Sequence, residues 1–436
     1  MNSKFVKNLS WIFVGNLVHA FLQFGMNILA ARILDPSAYG TINYSASLIA
    51  FFSSIVTLGF NYTITKHYAE NEEMSGEFTG SAIGSRAVAA ILSVILIQVV
   101  ISFTDSNDPL IRIVVLLQSA TIIFGVFDSY VQWFRYKHSA NVVATVRLIA
   151  FGLSAVFRLL VLLMSKDLVL YVIATAAESF LFACFLAFAY VRSNGPKLCF
   201  KLGTFKSMIK ISVPFIFSAL LTSIYGQTDK IMLKQFLNTE SVAYYSASLT
   251  LAGAISIIPI ALIDGYRPEI MRNKVADPER YKRSFRQLYS IVFWLCICYG
   301  VFISVFARHI IHIFYGENYL PAAQSLATIV WYTSFSYFGA INNIYMVCEN
   351  KSFWVQITTL VGAVTNIVLN SLLIPRWGIE GAAVASLITQ IATNFAFLAF
   401  VPSLRPCLKL IIEGVTFRKT FNINEFRRKY HDFIHK

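Results

Sequence analysis

The sequence predicts an all-α integral membrane protein, with twelve transmembrane helices in two six-helix lobes related by a pseudo-twofold axis along the membrane normal. Composition is the first reason, because 57% of the 436 residues are hydrophobic and only 13% are charged, against roughly 25% charged residues in soluble proteins. The second reason is that apolar runs of about 18–25 residues, enough to cross a bilayer, recur from end to end. The third is an internal repeat. Together they leave no room for a soluble domain.

The repeat is centred on the pentapeptide Tyr-Ser-Ala-Ser-Leu, which occupies residues 44–48 and again residues 245–249. Each copy follows an apolar run of helix length and a short break, at Asp35-Pro36 in the first half and Asn238-Thr239 in the second. The matching flanks favour duplication over chance. Because each repeat would hold six helices, an even number, both repeats enter the membrane in the same sense, which predicts the axis along the membrane normal.

The twelve spans follow from hydropathy. They cover residues 10–33, 40–65, 80–103, 110–134, 141–165, 168–191, 207–233, 241–265, 287–307, 322–347, 353–374 and 378–401. The first span has the basic start of a signal peptide, but its apolar part continues to Leu34, so we interpret it as an uncleaved helix. A segment with Gly-Pro and several lysines follows residue 191 and predicts an N-terminal lobe over 1–195 and a C-terminal lobe over 196–401.

The tail, residues 402–436, is predicted to be cytoplasmic and basic. Phe426, Tyr430 and Phe433 would share one face of a helix, which is typical of an interfacial amphipathic helix; a solvated tail is the alternative.

The orientation in the membrane follows from the basic residues, since 28 of the 36 lysines and arginines fall on the face that holds both termini. By the positive-inside rule that face is cytoplasmic. The net charge of +14 is therefore interpreted as an orientation signal. Nucleic-acid binding would need a soluble basic domain, and none is predicted.

Polar residues within spans are candidate functional residues, because each is costly in lipid unless it is paired or hydrated. Four such residues recur at spacings of three and four in the first span and would form one stripe facing a wet cavity or a partner helix: Asn16, His19, Gln23 and Asn27. Helix 11 carries a similar pair, Asn366 and Asn370. Amides in spans also serve as plain interhelical hydrogen bonds. The six residues are candidates for the substrate path.

Arg158 is the basic residue placed deepest in a span, and it shares a helical face with Arg147, eleven positions earlier, because eleven residues make about three turns. Leaving an arginine unpaired there would cost about 2.5–3.5 kcal/mol. Two partners are open. Glu178 on the next, oppositely directed helix would form a structural intramembrane pair, whereas a passing anionic lipid would make Arg147 and Arg158 an anion path.

Catalytic and metal sites are not predicted. The six cysteines form no CxxC pair, so neither a zinc site nor a disulfide framework is indicated. His309 and His312 have metal-ligand spacing but no evident third ligand. No GxxxxGK loop suggests nucleotide binding, and no cofactor is predicted.

Residues 364–390, VTNIVLNSLLIPRWGIEGAAVASLITQ, carry a run of motifs: an Asn-x-x-x-Asn pair, then Ile-Pro, Trp-Gly-Ile and Gly-Ala-Ala. With ARILDPSAYGTINYSASL near the start and the stretch Asp229-Lys230-Ile231, these motifs resemble the polysaccharide flippases of the multidrug/oligosaccharidyl-lipid/polysaccharide exporter superfamily, which serve O-antigen and teichoic-type pathways. The resemblance covers the whole chain. It implies a V-shaped pair of lobes that moves an undecaprenyl-diphosphate-linked oligosaccharide across the bacterial or archaeal cytoplasmic membrane by alternating access.

The partners implied are the lipid-linked oligosaccharide and membrane lipids; a coupling proton or sodium ion and polysaccharide-assembly proteins are left open. A drug or organic-cation antiporter of the same superfamily is the first alternative, and it would favour an acidic, aromatic cavity. A membrane glycan polymerase or ligase is the second. Such enzymes place a long catalytic loop outside, which this chain lacks, so we expect no enzymatic activity.

Overall fold

The structure, a computed structural model, describes residues 3–416, apart from the side chains of residues 3–14, 16 and 62. The described chain is helical from end to end and contains no strand. The amphipathic helix predicted around Phe426 lies outside the described residues. By its internal contacts the chain forms two compact units, Met1–Ala243 and Tyr244–Lys436. The division into lobes at residue 195 stays a prediction.

The helices of the first unit are α1 (Ser3–Ile33), α2 (Pro36–Val56), α3 (Phe60–Glu70), α4 (Ser75–Thr104), α5 (Pro109–Gly125), α6 (Ser129–Tyr136), α7 (Ala140–Met164), α8 (Leu168–Arg192), α9 (Leu202–Phe236) and the start of α10 (Thr239–Ala252). Those that follow in the second unit are α11 (Ile257–Ala276), α12 (Pro278–Tyr315), α13 (Ala322–Cys348), α14 (Ser352–Trp377), α15 (Ile379–Ile391), α16 (Phe397–Phe400) and α17 (Arg405–Val415).

Aspartates mark several helix starts. The carboxylate of Asp35 accepts a hydrogen bond from the backbone N–H of Ala38 at the start of α2, and Asp108, Asp167 and Asp277 cap α5, α8 and α12 in the same way. Proline occupies the first turn after three of these caps, where its missing N–H would have no partner anyway. Local sequence therefore determines where these helices begin.

The membrane character is visible on the outer faces of the helices. On α4, the side chains of Val88, Ile91, Leu92, Ile95 and Leu96 are each about half exposed, which is the arrangement expected for lipid contact. Eight described helices are long and apolar enough to span a membrane, or nine if the bent pair α10 and α11 counts as one span. The prediction of an all-α, multi-pass membrane protein is confirmed, and the exact count of twelve spans stays a prediction.

Two of the predicted spans, 40–65 and 241–265, contain a break in the helix. α2 ends at Val56, and Leu58 and Gly59 then take left-handed φ angles of 49° and 62°. In the second half, α10 and α11 are bent by 52° at their break. Hydropathy cannot report such breaks, since both sides are apolar. Each break follows its copy of the repeated pentapeptide.

Candidate functional site

A cavity of about 260 Å³ lies within the first unit, among α1, α5, α7 and α8. Its lining combines charged, aromatic and small side chains: His19, Thr121, Phe124, Gly125, Asp128, Arg147, Ala150, Glu178, Ser179 and Phe182. Three residues that the sequence singles out, His19, Arg147 and Glu178, therefore meet at one place. Asp128 joins them and was missed, although a carboxylate inside a predicted span is the same signal that singled out Arg158.

Arg158 lies directly behind this cavity and is 1% exposed. Its guanidinium forms an ion pair with Glu178 and donates a 3.1 Å hydrogen bond from Nε to the Ser154 hydroxyl. Ser154 in turn donates to the Ala174 carbonyl oxygen on α8, at 2.8 Å. The guanidinium also lies 5.2 Å from the centre of the Phe151 ring. α7 and α8 are thus joined around a buried, hydrogen-bonded charge, which needs such partners to be tolerated.

His19 approaches the same carboxylate from α1. Its Nε2 lies 3.7 Å from Oε1 of Glu178, and its ring packs edge-on against Phe151 at 4.8 Å between centroids. Because Glu178 contacts both a histidine and an arginine, its charge is compensated within the protein. The carboxylate belongs both to the cavity wall and to the buried pair.

Arg147 faces the cavity, with its guanidinium 5.1 Å from the centre of the Phe182 ring. Asp128 is exposed to the cavity and interacts electrostatically with Arg86 first and Arg147 second. Asp128 thus interacts with one arginine outside the lining, Arg86, and with one inside it, Arg147, whereas Glu178 is paired with Arg158. The lining itself carries two carboxylates, Asp128 and Glu178, and the guanidinium of Arg147.

Arg86 is a second residue that sequence reasoning missed, because it falls near the predicted cytoplasmic end of its span and counts there as an orientation charge. The structure buries it to 2% exposure. It donates hydrogen bonds to the Thr57 carbonyl oxygen and the Asn61 side chain, both at 3.0 Å, and to Ser129 at 2.9 Å. Thr57 stands at the break between α2 and α3, and its carbonyl oxygen also accepts the backbone N–H of Phe60, so Arg86 supplies a second donor to the carbonyl at the break.

The other candidates occupy different surroundings. Gln23 donates a 3.1 Å hydrogen bond to Asn27, four residues later on α1, and the side chain of Asn16 lies outside the described set. In the second unit, Asn366 is buried and donates to Ser386 of α15 at 3.2 Å, and buried Asn370 donates to Asn366 at 3.1 Å. The Asn366 amide therefore joins α14 to α15, as interhelical hydrogen bonds in membranes do, and the bond from Asn370 to Asn366 lies within α14.

Comparison with known proteins identifies the group to which this architecture belongs. A family model described as "Polysaccharide biosynthesis protein" matches residues 5–264, and a second, described as "MatE", matches residues 214–372. A curated relative, the "Putative O-antigen transporter" of Shigella flexneri, is 21% identical over 198 residues, which are 45% of this chain and 46% of that protein. The match thus spans about half the length of that relative.

Solved structures share the fold at low sequence identity. The lipid II flippase MurJ in an inward closed conformation is 14% identical with a TM-score of 0.74, covering 94% of this chain and 93% of that one. An inward-facing multidrug resistance transporter of the MATE family is 14% identical with a TM-score of 0.66, covering 88% and 95%. A transporter of the same superfamily from Pyrococcus furiosus is 13% identical with a TM-score of 0.57, covering 94% and 96%.

The resemblance drawn from the sequence motifs is confirmed, because one family model covers more than half of the chain. The families indicate a transporter rather than an enzyme. The chain belongs to the polysaccharide biosynthesis protein family, and it is a multi-pass membrane transporter of the multidrug/oligosaccharidyl-lipid/polysaccharide exporter superfamily.

Proposed function

We propose that the chain carries a lipid-linked oligosaccharide, attached to undecaprenyl diphosphate, across the cytoplasmic membrane by alternating access between two six-helix lobes. The observation that carries the proposal is Arg147 in the cavity of the first unit, in a chain whose family model concerns polysaccharide biosynthesis. A proton or sodium gradient as energy source, and contacts with polysaccharide-assembly proteins, belong to the same proposal. The protein moves the lipid carrier across the membrane and does not change it chemically.

The charge arrangement supports an anionic ligand. Glu178 is paired with Arg158 behind the cavity, and Asp128 interacts electrostatically with Arg86 as well as with Arg147, so each carboxylate has an arginine other than Arg147 near it. A guanidinium presents two parallel N–H donors to a phosphate, and such a pair is strong where water is scarce. Arg147 is therefore the group of the cavity best suited to meet a diphosphate, and Arg158 positions Glu178 from behind.

Arg147→Gln is the direct test. We expect this change to lower export of the surface polysaccharide about tenfold or more, because it removes the charge-assisted hydrogen bonds to phosphate, which are worth about 1.5–3 kcal/mol each. Arg147→Lys should retain part of the export, since the charge stays and the forked geometry is lost. Export is measured in cells that depend on this chain, alongside its abundance in the membrane.

Lys206→Gln is the matched control. Lys206 is exposed on α9, and this substitution also removes one positive charge, but at a position away from the cavity. It should export normally. Normal export by Arg147→Gln at normal abundance would remove Arg147 from the substrate path and would leave the proposed function without its main support.

A second candidate function is export of organic cations. Asp128 and Glu178 share the cavity with Phe124 and Phe182, and carboxylates beside aromatic rings suit a cationic ligand. An experiment in cells distinguishes export of a lipid-linked oligosaccharide from export of organic cations. Complementation of a polysaccharide-export mutant without any gain in resistance to cationic drugs supports the flippase, and the reverse result supports the antiporter.

The proposal includes an orientation with both termini in the cytoplasm. A reporter fused after Pro196, between α8 and α9, or at the C-terminus should be cytoplasmic, and one fused after Ser106, between α4 and α5, should be external. The physical reason is the excess of lysine and arginine on the face that holds both termini. Paired reporters active on opposite sides, such as alkaline phosphatase and green fluorescent protein, measure this. An external signal at Pro196 would overturn the orientation and the parallel repeat together.

A further inference from the structure

We propose that a second cavity, between α12 and α17, binds the phosphate group of an anionic membrane phospholipid. This cavity has a volume of about 830 Å³ and lies within the second unit. Its walls are the start of α12, the end of α13 and one face of α17. The ligand would be a lipid held beside the transporter, so the proposal does not depend on what the chain exports.

α17 presents one face to the protein and another to the cavity. Cys407 and Ile411 are buried in the apolar core of the second unit. Arg405, Lys409 and Glu413 follow one another at intervals of four residues and line the cavity. Residues four positions apart share a face of a helix, so the packing of the apolar face directs these charged side chains toward the cavity.

The carboxylates in the cavity wall already have basic partners within the protein. The pairs are Glu279 with Lys282 at 3.0 Å, Glu413 with Arg286 at 2.7 Å and Glu349 with Lys274 at 3.3 Å. Two other basic groups of the lining, Arg405 and Lys409, form no ion pair within residues 3–416. The cavity therefore offers two positive charges to an anion from outside the protein.

Arg286 adds hydrogen-bond donors to the wall of the cavity. The residue is 8% exposed, and its Nε donates a 2.7 Å hydrogen bond to Glu413. Its two terminal nitrogens donate no hydrogen bond to any described residue. A guanidinium forms its strongest hydrogen bonds with charged oxygens, and a phosphate presents several of them. Arg286 is thus suited to bind the same phosphate as Arg405 and Lys409.

The surroundings of Arg405 favour a lipid over a soluble anion. Its Nε donates a 3.0 Å hydrogen bond to the carbonyl oxygen of Ala399, at the end of α16. The next residue, Phe400, is 81% exposed. A cation of the cavity therefore lies beside an apolar side chain that has no cover within the second unit. A phospholipid combines the phosphate and the acyl chain that these two neighbours would contact.

The neighbouring turn places the cavity at the level of the lipid headgroups. Lys351, just before α14, donates a 2.6 Å hydrogen bond to the carbonyl oxygen of Ser403, just before α17. Phe353 and Trp354 follow at the start of α14, and Phe353 is exposed. Aromatic and basic residues at the end of a span are typical of the membrane interface, and basic pockets there bind anionic headgroups.

The chain that follows α17 does not suit this cavity as an occupant. Residues 417–436 contain six lysines and arginines but only two carboxylates, so a basic cavity would repel most of their charge. The same residues raise the positive charge of this part of the sequence, which attracts anionic lipid. We therefore commit to a phospholipid as the occupant.

Native mass spectrometry of the purified full chain measures the binding, without any transport substrate. We expect the first phosphatidylglycerol to bind about fivefold or more tightly than the first phosphatidylcholine, which has no net charge. Arg405→Gln/Lys409→Gln should weaken phosphatidylglycerol binding about tenfold or more, because two cations near the headgroup are lost. Both residues are exposed, so the melting temperature should stay close to that of the parent. Unchanged binding by this folded variant would overturn the proposal.

Arg272→Gln/Arg280→Gln is the matched control. Both arginines are exposed on α11 and α12 and lie outside the cavity lining, so this variant loses the same net charge elsewhere in the second unit. It should bind phosphatidylglycerol within about twofold of the parent, as surface substitutions away from a site usually do. A loss equal to that of the cavity variant would mean attraction by net charge alone, which would overturn the site.

Arg286→Gln/Glu413→Gln tests the buried donors at constant net charge. Because both partners of the ion pair are replaced, no unpaired charge remains. We expect phosphatidylglycerol binding to weaken about threefold or more, since hydrogen bonds from a guanidinium to phosphate are lost. Unchanged binding by this variant would overturn the role assigned to Arg286.

Competition identifies the source of the phosphate. Sodium phosphate, compared with sodium chloride at equal ionic strength, should displace little phosphatidylglycerol, and undecaprenyl phosphate should compete no better than phosphatidylglycerol itself. Complete displacement by sodium phosphate would make the ligand a soluble anion, and a strong preference for undecaprenyl phosphate would make it the carrier lipid; either result would overturn the proposal. Loss of the lipid site in a chain that still exports glycan would count against this proposal alone and leave the proposed function intact.

Discussion

Gly40→Ala is expected to destabilise the protein by about 3 kcal/mol, near the upper end of the range for overpacked sites. An alanine Cβ at this position would lie 1.8 Å from the carbonyl oxygen of Thr239 and 2.5 Å from its carbonyl carbon. Both are backbone atoms, so α2 and the start of α10 would have to move apart, and the hydroxyl contact between Ser37 and Thr239 would be lost. The melting temperature of the purified protein, followed by fluorescence-detected size exclusion, measures the loss.

Gly152→Ala is the matched control. Gly152 lies within α7, and a Cβ there has no heavy atom within 4 Å. Because alanine is the better helix former by about 1 kcal/mol, this variant should melt at the same temperature as the parent or slightly higher. Equal melting temperatures for the two alanine variants would contradict the close approach of α2 and α10.

Arg158→Ala is expected to have a similarly large effect. Removing one partner of a buried ion pair costs about 3–5 kcal/mol, and here it also leaves the Ser154 hydroxyl without its donor. The remaining carboxylate of Glu178 would face the cavity with only His19 and more distant charges around it. We expect low abundance in the membrane and loss of export, measured together.

The double variant Arg158→Ala/Glu178→Ala separates two roles of the arginine. It removes both charges, so we expect most of the lost stability and abundance to return. If export returns as well, Arg158 serves to neutralise Glu178, and the anion path consists of Arg147. If abundance returns and export stays lost, the cation at position 158 is itself required.

Arg192→Ala, which removes an exposed arginine at the end of α8, is the control and should change stability by no more than about 0.5 kcal/mol. An equal loss in that control would mean that the effect at Arg158 is not specific to burial.

Composition and local patterns were sufficient to predict the class of the protein and much of its local structure. Apolar length and hydropathy decide that the chain lies in a membrane, because each unsatisfied backbone group there is costly. Asp35, Asp108 and Asp277, each followed by a proline, mark helix starts because capping is a contact within one turn. The geometry of oppositely directed neighbouring helices was also sufficient to place Glu178 next to Arg158.

Which polar groups meet depends on how the helices pack, and local patterns do not encode that packing. Asn366 and Asn370 share a helical face, as their spacing requires, but periodicity does not say whether that face meets a cavity or another helix. Here Asn366 bonds to Ser386 of α15, and Asn370 bonds to Asn366. Asp128 and Arg86 are far apart in sequence and interact electrostatically only after α4 and α5 pack together. The ion pair between Lys234 of α9 and Asp105 is a further case, because the two residues are 129 positions apart and no local pattern encodes their contact.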